Sequence, residues 1–470
     1  MRRMPEAPAT VWHLLNRAAF GPAPGDMATV AAMGARTYIQ AQLDPQSIPE
    51  DADLARRLKR LRTTRLDAIQ AYRHTGGLPL RPFAQNIGFV RLFLLAQQMV
   101  KEAQHARLMR AVESKRQLLE VVVDFWINHF NISVSKDLTM IWANSYEQEA
   151  IRPHAMGRFR DLLGATAKHP AMLYYLDNWL NTAPDSPGAQ GDFTGYNENY
   201  ARELMELHTL GVDGGYTQQD VQELTRILTG WGVNTLALVT RVGDLFQFDE
   251  TRHDFGAKTL LGVTFPEGRG AEEAEQALDI LASHPATAHH IATQLAQYFV
   301  ADQPPQDLVA ALGQVFLETD GDIRAVLAAL FDHAAFWESR APRFPTPYQW
   351  LVGLCRALGW RIDNPNQLLW ILEAQGMDLY DAPQPNGYPL ERGFWFKPDA
   401  LLARLDVVSW FASSPNPMSH LQSQPPIKAA QLFGECQSIL SDQTRSIYAA
   451  QSDEALQLCA LLGGPEWMMK

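Results

Sequence analysis

Apolar positions recur at helical spacing along almost the whole of this chain. Thr10 precedes Trp12, Leu14, Leu15 and Ala18, and FGPAPGD turns the chain into a second periodic segment, so the sequence predicts an opening of short helices. After a Gly/Pro-containing break between Gly76 and Pro82, residues Ile87 to Val112 read as a long amphipathic helix with Lys101, Arg107 and Arg110 on a solvated face. In SKRQLLEVVVDFWINHFNIS, Leu118, Val122, Phe125 and His129 fall at i, i+4, i+7 and i+11 of a helix that is apolar nearly all round. His129 thus ends a buried stripe. The plainer reading is a core histidine with a satisfied ring; the functional one is a ligand or general base projecting into a pocket. Asp124 and Asn128, four apart, lie on a different side and could support a second polar contact.

Helices broken near Pro153 and Pro170 lead to APDSPGAQGDFTG, Ala183 to Gly195, a polar surface loop or a rim to the next helix. Beyond Trp231 the pattern changes. Residues Leu245 to Phe248 and Lys258 to Leu261 flank the turn-like DETRHDFGA, which suggests a β-hairpin whose long loop carries Arg252, His253 and Asp254. From Ala271 helical patterns dominate again, interrupted at APQPNGYPLERGFWF, Ala382 to Phe396, where proline and glycine forbid a regular helix and the aromatics either plug the core or line a pocket wall. The expected fold class is therefore mainly α, one large multi-helix array over residues 1–470 with a small β-hairpin insertion near 244–262. A split near residue 270 would divide a half that carries the polar site from a supporting helical half.

Groups that could do chemistry are densest in NENYARELMELHTLGVDGGYTQQDVQELTRILTGW, Asn197 to Trp231. On a regular helix Asn199, Glu203, Glu206 and Leu210 share one edge, so two carboxylates and an amide point the same way. His208 falls roughly opposite Glu206, so a histidine joining these carboxylates has to come from elsewhere in the chain. Arg202 is four residues from both Glu198 and Glu206, and a Glu-Arg-Glu ladder is the structural alternative to a site. Gly211 and Gly214-Gly215 end the helix, and Thr217 with Asp220 caps the next, which makes an αα-hairpin. Such a rigid pair can hold carboxylates for acid–base work or for a divalent cation, and the sequence does not choose between them.

Composition narrows the function classes. With 46% hydrophobic and 20% charged residues among 470, the chain can bury a large core, and a net charge of -12 argues against a backbone-driven nucleic-acid binder. Cys355, Cys436 and Cys459 lack CxxC spacing, so neither a disulfide framework nor a cysteine zinc site is indicated. The basic start is not followed by a signal-peptide apolar run, which points to the cytoplasm, or to an exported protein if a leader is missing. The most apolar run, Leu118 to Phe130, is interrupted by Glu120, Asp124 and Asn128 and reads as a core helix rather than a membrane span.

The Asn197–Trp231 stretch resembles the bacterial DUF-1800 family, a domain of unknown function. So, in the expected order, do HLLNRAAFGPAPGD, FWINHF (Phe125 to Phe130), RHDFGAKTLLG (Arg252 to Gly262), HPATAHHIATQLAQYFVADQPP and PNGYP (Pro385 to Pro389). The resemblance covers nearly the whole chain. It implies a mainly helical protein with no settled reaction, often exported and frequently encoded beside a sulfatase-like family, DUF-1501, as a partner. Matched by motif, the family's polar positions are His129, Asn199, Arg202, Glu203, Glu206, His208, His253 and Asp254. The leading expectation is an enzyme that hydrolyses or modifies a polar polymer or glycan, in a pocket where the Asn199–Glu206 edge meets His129 and the His253 loop. Glu203 or Glu206 would be general base or cation ligand and Arg202 an anion anchor; His129 or His253 would move a proton, and Asn199, Asp254, His208 and Arg252 would bind. The alternative is a non-catalytic helical accessory protein working with a sulfatase-like partner.

Overall fold

The computed structural model describes residues 7–76, 87–136, 138–240, 244–339, 343–413 and 427–469, and the break expected after Gly76 lies outside them. Among the described residues 26 α-helices and two short antiparallel sheets of two strands each make up the fold, which is mainly α as the periodicity predicts. The long helix runs Ile87–Glu113 and the apolar one Gln117–His129. Buried side chains from Val11 to Met468 form one continuous core, with Trp126 and Trp142 among its largest members. No helix among the described residues is long and apolar enough to cross a membrane.

Three interior helices start in the same way. His169, His284 and His333 are N-caps whose Nδ1 accepts the backbone N–H of Ala171, Ala286 and Ala335 at 3.2, 3.1 and 3.2 Å. Each imidazole takes the place that Ser or Asp usually fills and satisfies an N–H that the first turn leaves orphaned.

Two expectations are corrected. The segments around Phe246 and Lys258 are strands, but they do not pair with each other: Phe246–Phe248 pairs with Trp231–Val233, and Lys258–Leu260 with Val263–Phe265. Leu261 and Gly262 both have positive φ, 49° and 79°, and close a two-residue turn locally, so Lys258–Leu260 finds its partner five residues on. Nor is the Arg107 face of the long helix solvated. Arg107 is buried, 2.6 Å from Asp124, and lies between the rings of Tyr348 and Tyr380 at 5.0 and 5.2 Å. Asp124 also accepts from Tyr298 Oη at 2.9 Å, and the network continues from Tyr380 through Glu147 to Arg152, which grips Glu120 with two bonds of 2.9 and 2.8 Å. These groups tie five helices and the segment around Tyr380 together; their partners are remote in sequence and invisible to periodicity.

Candidate functional site

The αα-hairpin of Asn197 to Trp231 forms, and Thr217 and Asp220 make the reciprocal cap read from the sequence. Its first helix is irregular. Asn199–Glu203 is α-helical, but Leu204–His208 is a π turn, so the edge drawn on a regular helix does not continue through Glu206. Glu203 and Glu206 remain close enough to interact: burial and then the Glu206 charge raise the Glu203 carboxyl above its usual range. Glu206 accepts from Tyr216 Oη at 3.4 Å. Arg202 makes one rung of the ladder, 3.0 Å to Glu198, and turns to Gln218 at 2.9 Å for its other bond. Asn199 is exposed and donates to the Leu176 carbonyl at 3.3 Å.

The end of the π turn is clasped by histidines. The Leu207 carbonyl faces His290 Nε2 at 3.2 Å, and the His208 carbonyl faces His129 Nε2 at 3.2 Å. Both carbonyls would otherwise be orphans of the helix end. His208 itself is buried, with its ring 5.1 Å from Phe130 and 6.1 Å from His129, and burial pushes its pKa well down. Burial, with His290 beside it, also pushes His129 down to about 3, so the His129 ring is neutral. A neutral ring has one N–H. Both ring nitrogens face oxygens, Nε2 the His208 carbonyl and Nδ1 the Gln294 Oε1 2.6 Å away, so the neutral ring donates to one of the two at a time.

His129 and Leu207 line a cavity of about 370 Å³, within the range of small-molecule sites. Gln294 and Gln297 come to it from the Pro285–Phe299 helix, and Asn386, Tyr388 and Glu391 from the PNGYP segment. That segment is held by the two asparagines of FWINHFN. Asn128 accepts from Tyr388 N at 2.7 Å and donates to its carbonyl at 2.9 Å, as a neighbouring strand would. Asn131 donates to the Gln384 carbonyl at 2.8 Å. Gly387 has φ 70°, and a Cβ there would collide with the Asn128 carbonyl and lie 2.7 Å from Asn128 Oδ1, so only glycine lets the segment come this close.

His253 belongs to a different, fully buried group. Its Nδ1 lies 2.9 Å from the Thr229 carbonyl, and its Nε2 is 3.4 Å from Glu273, which also binds Lys258 at 2.8 Å. Asp254 is bound by Arg226 at 2.8 and 3.2 Å and by Tyr196 at 2.6 Å; despite partial burial these bonds hold it down at about 2. Arg252 bonds Asp249 at 3.0 Å and stacks over Phe193 at 4.4 Å, and the Ala183–Gly195 loop docks on this turn through Ala183 and Gly188. Arg252, His253 and Asp254 thus hold the loop and strands together. Among the described residues no group of three or more His, Cys, Asp or Glu side chains could hold a metal ion.

The structure therefore brings His129, His208 and the end of the carboxylate helix together and puts His253 in another network. The cavity residues Gln294, Gln297, Asn386 and Glu391 were missed, although His290, Gln294 and Gln297 stand at i, i+4 and i+7 on one helix face.

Fold and cavity together define a large α-helical protein with a preformed polar pocket at the meeting of four segments. The chain belongs to the family described as protein of unknown function (DUF1800), whose model matches residues 13–469. No curated protein and no solved structure matches it.

Proposed function

We propose that this chain recognises a neutral, hydroxyl-rich ligand of glycan type in the His129 cavity. The observation that carries the reading is the lining: four amides (Asn128, Gln294, Gln297 and Asn386), a neutral histidine and the Tyr388 ring, with Glu391 as the charged wall residue among those described. Amides pair a donor with an acceptor and suit neighbouring hydroxyls, whereas an anionic ligand calls for arginine or lysine. Calorimetric titration with cellobiose and with the Asn386→Ala and Gln297→Ala variants tests it. Binding should be seen with the native chain and lost in the variants at unchanged melting temperature; no heat with the native chain defeats the proposal.

A catalytic reading, hydrolysis of such a polymer, is favoured by Glu203. Its carboxyl, raised by burial and then by the neighbouring Glu206, suits a proton donor, and both residues sit on the helix whose end supplies Leu207 to the cavity. Release of reducing ends from cello-oligosaccharides, abolished by Glu203→Gln and Glu206→Gln in variants that melt as the parent does, would support it. Binding without any turnover would leave the accessory role, alongside a sulfatase-like partner, as the function.

A further inference from the structure

The PNGYP segment does not end at the cavity. From Glu391 it passes directly into a short helical turn, Arg392–Trp395, fastened by a bond of 2.7 Å from Arg392 N to Asp302 and another of 2.7 Å from Trp395 Nε1 to the Pro389 carbonyl. Trp395 is buried, with its ring 6.1 Å from that of cavity-lining Tyr388. Phe394, in edge contact with Trp395 at 4.9 Å, and Phe396 are each 46% exposed. Exposed rings are common on protein surfaces and mean little singly; these two stand out because they follow the cavity segment directly. These two are also braced. Lys397 lies over Phe394 at 4.9 Å, Arg392 over Phe396 at 4.6 Å, and Phe396 packs on Phe344 at 5.2 Å. Ring contacts thus run from Tyr388 on the cavity wall through Trp395 to Phe394 at the surface, and Phe396 stands two residues further on against Phe344.

We propose that the cavity is the inner end of an extended site, and that its ligand is a chain of several sugar units whose outer units stack on Phe394 and Phe396. This rests on the glycan reading of the cavity. A β-1,4-linked glucosyl chain fits best, because its equatorial hydroxyls leave apolar C–H faces that can lie on aromatic rings while its edges bond to the cavity amides. The exposed rings then serve as a platform that distinguishes a polymer from a free sugar.

Titration of the full chain with cellobiose and cellohexaose, for the native protein and for Phe394→Ala and Phe396→Ala, separates this proposal from the one it rests on. Cellohexaose should bind more tightly than cellobiose, and each variant should weaken the hexamer by about tenfold while leaving the dimer unchanged. Equal affinity for the two lengths, or hexamer binding indifferent to both substitutions, overturns the extended site but keeps the cavity reading. No binding of either sugar by the native chain overturns both. The substituted rings are exposed, and melting temperatures equal to the parent's verify that folding is unaffected.

Discussion

Replacing Gly387 by alanine attacks the pocket at its closest backbone approach. The left-handed φ of 70° costs a non-glycine residue about 1–2 kcal/mol. The new methyl would meet the Asn128 carbonyl and would stand 2.7 Å from Asn128 Oδ1. The segment has to withdraw, which breaks the paired bonds between Asn128 and Tyr388 at 2.7 and 2.9 Å; two such bonds contribute about 2 kcal/mol. The loss is therefore about 3–4 kcal/mol, and for a chain of 470 residues, with an unfolding entropy of about 1 kcal/mol per degree, the melting temperature should fall by about 3–4 °C. Calorimetry reads that shift, and hydrogen exchange at the Tyr388 amide reads its origin, since that N–H should lose protection before the helices do. Cellobiose binding should disappear with it. An alanine variant with the parent's melting temperature and a protected Tyr388 amide would refute the account of the loop.

Burial holds His129 and His169 at about 3 in the folded chain, against about 6.5 when unfolded, so the unfolded chain binds more protons between those values. Their contribution is fully present above pH 6.5 and is lost as the pH falls towards 3; melting temperatures taken from pH 7.5 down to 4.5 should decline, and a flat profile contradicts the assignment. Asp124→Asn leaves Arg107 buried without its carboxylate and should cost about 3–5 kcal/mol by urea unfolding, with part of the loss recovered when Arg107→Met is added. Arg202→Ala removes a pair whose side chains are 40% and 37% exposed and should change stability by less than about 0.5 kcal/mol; a loss above ~2 kcal/mol would mean that Arg202 has a heavier role than its contacts give it.

The features legible in the sequence are the local ones. Helical periodicity, the Thr217–Asp220 cap and the glycines Gly211 and Gly215 depend on residues a few positions apart, and these features stand in the fold. The pairing of Phe246–Phe248 with Trp231–Val233 depends on a chain reversal that no local signal marks. Arg107 reads as a surface charge until Asp124, Tyr348 and Tyr380 are placed around it. Of the cavity residues, His129 stands out in the sequence because polar residues are scarce on apolar stripes, whereas Asn386 and Glu391 acquire meaning only when Asn128 and Asn131 draw their segment against the helix end.

The π turn at Leu204–His208 makes this pocket a matter of counting residues. A π turn holds one residue more per turn than an α-helix needs, and that surplus sets the direction in which the Leu207 and His208 carbonyls leave the helix. Deleting a single residue there would give a more regular helix, yet it would swing both carbonyls away from His290 and His129 and dismantle one wall of the cavity. Length, rather than the identity of any one side chain, is what this turn transmits to the pocket, so a shortened chain should gain helical regularity and lose cellobiose together.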